Sequence, residues 1–250
     1  MELELGSRRC FERMATGAKD DMFVVPGLVS IAWSCSVLAF TDAPLRAAIA
    51  AASLPRITEF SPRNIARSAW ALSSLFFLAP PLLESLSASA LRSLSPFHVE
   101  PQVLANTAWS VAALQWHDPP LLEAISASAR RTITHFSAQQ RGNTSWSFAD
   151  LPCADWPLSH SISASAIRSI RDYSSQLLAN TSWAIAALAI QDSPLLTSTA
   201  ASAIRLLSAF RPQNLANSAW ALALRGRAHE PCLHAISAAS LRNITEFSLQ

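Results

Sequence analysis

The sequence predicts an all-α fold, a right-handed α-solenoid of stacked two-helix repeats with a period of about 37 residues. Three series of residues predict it. Trp33, Trp70, Trp109, Trp146, Trp183 and Trp220 are separated by 37, 39, 37, 37 and 37 residues. Phe23, Phe60, Phe97, Phe136, Tyr173 and Phe210 keep the same rhythm, and Phe247 extends it. Pro44, Pro81, Pro120, Pro157, Pro194 and Pro231 repeat at 37, 39, 37, 37 and 37. Self-similarity at a period between about 20 and 50 residues marks a stacked array, in which each unit buries its apolar face only against its neighbours.

Residues 1–21 mix Glu, Arg and Asp without an apolar core. They are expected to be disordered or poorly ordered, and they resemble neither a secretory signal nor, being acidic, an organelle transit peptide. Residues 22–250 form the repeat domain: an initial helix B at about 24–39, five A/B helix pairs and a final helix A at about 231–246. The apolar run from Phe23 to Phe40 aligns with the repeat around Trp33 and contains Pro26, Gly27 and three serines. It reads as a repeat helix, and no membrane partner is expected.

Each repeated proline marks the start of helix A. Asp42, Asp118, Asp155 and Asp192 stand two residues before it, where a carboxylate can cap free N–H groups and Pro is tolerated in the first turn. Ala79 and His229 replace the Asp in two units, which weakens those caps. Apolar residues then fall at helical spacing, as in Leu82, Leu83, Leu86, Ala90 and Leu94 or Leu121, Leu122, Ile125, Ala129 and Ile133. Small residues such as Ser87-Ala88-Ser89-Ala90 fill the middle and allow close helix approach.

The aromatic closes a short turn, and Ser61-Pro62, Ser137, Ser174 and Arg211-Pro212 signal the start of helix B. Leu215, Ala219 and Leu222 form one stripe of that helix; Ala216, Trp220 and Ala223 form another. Such a helix is apolar nearly all round and predicts a sandwich between adjacent repeats, with the Trp as a packing plug. The fourth unit departs most, with Arg141-Gly142 in place of Leu-Ala, and predicts local irregularity. The two extra residues of the 39-residue unit fall at His98-Val-Glu-Pro101, in a turn that can absorb them. Phe247-Ser-Leu-Gln250 matches the start of another helix B, as expected of a fragment or of an uncapped apolar edge.

Half of the residues are apolar, 14% are charged, and the net charge is +2. So small an excess implies no nucleic-acid partner by itself; what matters is where the arginines sit. Cys10, Cys35, Cys153 and Cys232 lack metal-ligand spacing and read as reduced, mostly buried thiols. The six histidines pair with no Cys, Asp or Glu at ligand or triad spacing, and no phosphate-binding loop is present. The chain is therefore read as no enzyme, with no cofactor.

Two polar columns are candidates for function. The first is Arg92, Arg131, Arg168, Arg205 and Arg242, each five residues before the aromatic. Small residues precede them on the same helix face, such as Ser202 and Ser198 before Arg205 or Ser165 and Ser161 before Arg168. A row of arginines over a low floor suits the phosphates and bases of single-stranded nucleic acid. Equally, an Arg near a helix C-terminus complements the macrodipole and stays in water. The second column is Asn106, Asn143, Asn180 and Asn217, three residues before each Trp and followed by Thr107, Thr144, Thr181 and Ser218. Amides can read base edges, but an Asn one turn before a buried Trp reads better as a residue that fixes repeat register.

Pro212-Gln-Asn-Leu-Ala-Asn-Ser-Ala-Trp220, with Leu104-Ala-Asn-Thr-Ala-Trp109 and Leu178-Ala-Asn-Thr-Ser-Trp183, resembles the octotricopeptide and heptatricopeptide repeats. It is also similar to the helical repeats of RNA-editing substrate-binding complexes. The Pro-Leu-Leu start of helix A, the Phe-x-Pro-Gln turn and the 37-residue period match the heptatricopeptide version best, over roughly residues 23–250. The resemblance implies a solenoid that binds single-stranded RNA in mitochondria or plastids, with other proteins of a ribonucleoprotein complex as further partners. The activity it implies is RNA processing, stability or translation. The RAP domain that often follows such arrays is not among these residues, so no nuclease-like activity carries over. The alternative is a protein-interaction scaffold of the armadillo or HEAT sort.

Overall fold

The computed structural model describes residues 24–94, 99–190, 192–224 and 230–247. Among them are twelve α-helices and no strand. The helices are α1 (Val25–Val37), α2 (Ala43–Ser53), α3 (Pro62–Ser74), α4 (Pro80–Leu94), α5 (Pro101–Ala113) and α6 (Pro119–Thr132). They continue as α7 (Ala138–Asp150), α8 (Trp156–Arg168), α9 (Ser175–Ala187), α10 (Ser193–Leu206), α11 (Pro212–Leu224) and α12 (Glu230–Phe247). Odd numbers are the Trp-bearing B helices, and even numbers are the A helices. The expectation for residues 1–21, and those resting on Phe23, Phe97, His98, His229 and residues 248–250, lie outside the described residues.

Side-chain caps start seven of the described helices. The carboxylates of Asp42, Asp118, Asp155 and Asp192 accept the N–H groups of Leu45, Leu121, Leu158 and Leu195 at 2.7, 3.0, 2.8 and 2.9 Å. Each satisfies one donor that the first helical turn leaves without a partner. Helix B starts in the same way on serine: Ser61, Ser137 and Ser174 accept from Asn64, Gln140 and Leu177. At Ser137 the Gln140 side chain returns a bond to the cap's own N–H and completes a capping box.

Helix A ends by tightening into 3₁₀ turns, at Leu54–Glu59, Ile133–His135, Ile170–Asp172 and Leu207–Ala209. The aromatic that follows donates its N–H to a carbonyl three residues back, from Phe60 to Ile57, Phe136 to Ile133, Tyr173 to Ile170 and Phe210 to Leu207. All four rings are buried, so the turn is held at both ends, by its backbone and by its side chain.

Backbone contacts divide the chain into two compact units, 1–128 and 129–250, with the division inside α6. In the first unit α3 lies between α1 and α5, while α2 and α4 pack as their A-type partners. One apolar cluster there joins Ala32, Cys35, Leu45, Ile49, Ala71 and Leu75. In the second unit α9 lies between α7 and α11, and α10 between α8 and α12, over a core that includes Ile185, Leu195, Leu215 and Leu222. Every helix in these rows touches the next helix but one, the regular packing of a stacked helical repeat. Buried serines link successive A helices: Ser89 donates to the Ile57 carbonyl at 3.3 Å and Ser128 to that of Leu94 at 3.2 Å.

Helix B ends in a left-handed residue. Ala39, Phe76, Gln115 and Ala189, each six residues after a Trp, have φ of 50°, 48°, 52° and 57°. The bonds around them form Schellman motifs: Ala39 N–H donates to Ser36 and Phe40 N–H to Cys35, Phe76 to Ser73 and Phe77 to Leu72, and the pattern recurs at Gln115 and Ala189. None of the four is glycine, although only glycine adopts this conformation without a Cβ clash. Ala39→Gly, Gln115→Gly and Ala189→Gly are each expected to stabilise the chain by about 0.5–1 kcal/mol. Thermal melts of the single and combined variants check this, with Ala50→Gly inside α2 expected to shift the melt the other way.

Candidate nucleic-acid interface

Helix B carries one polar and aromatic stripe per repeat. Residues spaced by four and then three share a helix face, and at that spacing stand Gln102, Asn106 and Trp109; Gln139, Asn143 and Trp146; Gln176, Asn180 and Trp183; and Gln213, Asn217 and Trp220. All four glutamines are exposed and all four asparagines are half-buried. The other faces hold the core: Leu104, Leu178 and Leu215, and Val111, Phe148, Ile185 and Leu222, are buried. Sequence reading singled out the asparagines and missed the glutamines, although they recur seven residues before each Trp as regularly.

The tryptophans are less deeply buried than the sequence led us to expect, although Trp183 packs against the apolar core of its unit. Trp33, Trp70, Trp109, Trp146 and Trp183 are half-buried, and Trp220 is 44% exposed. The cause lies in the neighbouring positions. Ala105, Gly142 and Ala179, four residues before the Trp, are buried, and so are Thr107, Thr144, Thr181 and Ser218. B helices that meet through residues this small approach too closely to admit an indole, which is left at the rim. There the rings lean on one another. Trp33 and Trp70 stack with centroids 4.4 Å apart, and Trp70 and Trp109 lie 6.4 Å apart at 31°. In the second unit Trp183 and Trp220 lie 6.3 Å apart at 30°. The Arg67 guanidinium lies 4.9 Å from the centre of the Trp33 ring.

Among the described residues no Asn of the column bonds a neighbouring repeat, and Asn106 accepts from Gln102 of its own helix at 2.6 Å. The polar contacts in the packed seam are made one residue later, where Thr107 and Thr144 donate to the carbonyls four residues back, both at 2.8 Å. The amides remain at the surface.

Arg92, Arg131, Arg168, Arg205 and Arg242 are all exposed, at or near the C-terminal ends of A helices. Their floor differs from expectation. Ser165 and Ser202, three residues before Arg168 and Arg205, are buried against neighbouring helices, because a serine small enough to leave a groove is also small enough to be packed over. Arg205 reaches back to Ser202 Oγ at 2.9 Å. In the second unit Arg130, Arg131, His135, Arg168, Arg171, Arg205 and Arg211 are exposed around the turns from A to B, with Asp172 among them. The turns from B to A carry Asp155, Asp192 and Glu230. This polarity follows the macrodipole, acids at the start of helix A and bases at its end. In the first unit Arg63 takes the glutamine position and pairs with Glu100 at 2.7 Å.

Arg141, at the buried leucine position of α7, is itself only 5% exposed. The helix itself is unbroken, and the irregularity expected in this unit shows in its side chains and in the turn that follows, where Pro152 has φ of 23°. The guanidinium donates to the Phe136 carbonyl, to Ser165 and Ser169 Oγ and, at 3.3 Å, to the hydroxyl of Tyr173. Tyr173 is the one tyrosine in a column otherwise phenylalanine, and it is the residue that this arginine needs. Burial raises the phenol pKa above its ordinary value, against the smaller lowering effect of Arg141. A Cβ at Gly142 would meet Leu177 Cδ2 at 2.8 Å, so a neighbour must shift if alanine returns there.

Burial raises the thiol pKa of Cys232 and, joined by the charge of Asp42, that of Cys35. Neither is poised as a nucleophile. Among the described residues no three His, Cys, Asp or Glu side chains gather as a metal site, and no helix is long and apolar enough to cross a membrane. Comparison with protein-family models and with curated proteins finds no match to this chain.

Removing the guanidinium leaves buried polar partners unsatisfied. Arg141→Ala is expected to cost about 2–4 kcal/mol, whereas Arg141→Leu with Tyr173→Phe, which restores the apolar residues of the other repeats, is expected to be neutral or stabilising. Urea denaturation of both variants and of each single substitution decides between them.

Proposed function

We propose that the chain is a non-catalytic single-stranded RNA-binding protein. In this reading it is a right-handed α-solenoid with a period of 37 residues, of the octotricopeptide and heptatricopeptide kind. It acts in mitochondria or plastids in RNA processing, stability or translation, beside other proteins of a ribonucleoprotein complex. One observation carries the reading: each of four B helices offers the same exposed Gln and half-exposed Asn on one face. Repeats that hold single-stranded RNA use such side chains, one set per unit, to meet base edges. The exposed arginines around the A-to-B turns supply forked donors for phosphate oxygens.

A protein-binding scaffold is the second reading. It is favoured by Leu38, Phe76 and Leu78, exposed at the B-to-A turns of the first unit. Salt separates the two. RNA affinity should fall with a log–log slope of about −0.7 per phosphate contact, so five arginines account for about −3.5. Arg131→Ala, Arg168→Ala and Arg205→Ala together should flatten that slope by about 2 and weaken binding without lowering the melting temperature. Binding that ignores salt, or an unchanged slope in the triple variant, excludes the arginines as phosphate contacts.

A further inference from the structure

A B helix within a row offers one face to the B helix before it and another to the B helix after it. The positions four before and three after the Trp face forward: Ala66 and Ser73 on α3, Gly142 and Ala149 on α7, and Ala179 and Ala186 on α9 are all buried. The positions two before and one after the Trp face back: Ser68 and Ala71 on α3, Thr107 and Ser110 on α5, and Thr181 and Ala184 on α9 are buried too. The two sets meet in the seam, since a Cβ at Gly142 would lie 3.9 Å from Thr181 Oγ1.

Among the described residues each set also occurs once uncovered. On α11 the forward positions are Ala216 and Ala223, and both are exposed, with Trp220 beside them 44% exposed. On α1 the backward positions are Ile31, half-buried, and Ser34, exposed. The A layer repeats the pattern: Ser237 of α12 is exposed where Ser163 and Ala200 are buried, and Ala52 of α2 is half-buried where Ser89 and Ser202 are buried. Neither α1 nor α11 carries a charged residue. A stacked array that meets water needs a polar outer face, whereas alanine, tryptophan and isoleucine suit surfaces that are packed against.

We infer that a second copy of the chain covers them head to tail: α11 and α12 of one copy pack on α1 and α2 of the next, and the new seam repeats the one between α9 and α11. The choice of occupant follows from the match between the two faces. Each is one half of a seam that the chain already builds several times within itself, and Ala216 meets Ile31 as Gly142 meets Thr181, a small residue against a β-branched one. A pair joined in this way keeps one free face of each kind, so copies add in an open row or close as a ring. The inference is independent of the RNA-binding reading.

Sedimentation velocity of the full chain over a wide range of concentration, without RNA, tests it. The weight-average mass is expected to rise with concentration past that of a pair. Ala216→Arg and Ser34→Arg each place a charge at an exposed position of one free face, so each variant keeps its fold, which melting curves verify. Each alone is expected to self-associate at least about tenfold more weakly. Mixed in equal amounts, the two regain association but stop at a pair, because the intact α11 face of Ser34→Arg seats on the intact α1 face of Ala216→Arg and the blocked faces end growth. A chain that stays monomeric at every concentration overturns the inference, and that measurement needs no variant. Association that persists in Ser34→Arg alone, the mark of two like faces meeting, overturns it as well, as does association that neither substitution weakens.

Discussion

The close approach of neighbouring B helices governs the rest of the molecule. Ala105, Gly142, Ala179 and the buried Thr107, Thr144, Thr181 and Ser218 line the seams with small side chains. A seam that narrow excludes the largest residue of the repeat, so the indoles move to the rim and take the neighbouring amides with them. It also leaves the leucines, isoleucines and valines of the opposite face to fill the space between the B and A layers. The surface stripe and the core are thus two results of one constraint on helix separation.

Much of the fold was legible in the sequence because its signals are local. An Asp two residues before a Pro acts on the nearest backbone donors whatever lies farther away, and at Asp42, Asp118, Asp155 and Asp192 it does so. The turn aromatics were equally plain. The depth of the tryptophans was not legible because helical periodicity tells which residues share a face and not which way that face points. On a helix apolar nearly all round, hydrophobicity could not choose between Leu222 and Trp220, whereas the small residues at Ala179 and Thr181 could have. Ser165 and Ser202 misled for a related reason, since a hydroxyl with one methylene is at home in water or in a seam. The glutamine column carried the same periodic signal as the asparagines, and its position at the first turn of helix B made it look like part of the turn.

Arg141 shows how a repeat tolerates an exception. A guanidinium in a leucine site would be costly alone, yet the departures around it are mutually consistent: Gly142 gives up a methyl group, Tyr173 adds a hydroxyl where the other repeats have phenylalanine, and Ser165 and Ser169 turn toward the cation. No single substitution on the way from Leu-Ala and Phe to this set is comfortable, while the set closes most of its hydrogen bonds. The fourth repeat is therefore unlike its neighbours inside while keeping their helices.

In the second unit α8 and α10 begin at acidic turns, with Asp155 and Asp192, and end at basic ones, and the two helices lie side by side. Their charges therefore add across the width of the unit instead of cancelling along its length. Such a body carries a transverse electric moment, and in the field of a polyanion it turns its arginine edge forward before any surface contact is made. Approach is then oriented in advance, and a chain whose total charge is nearly balanced gains a preferred side from which to be met.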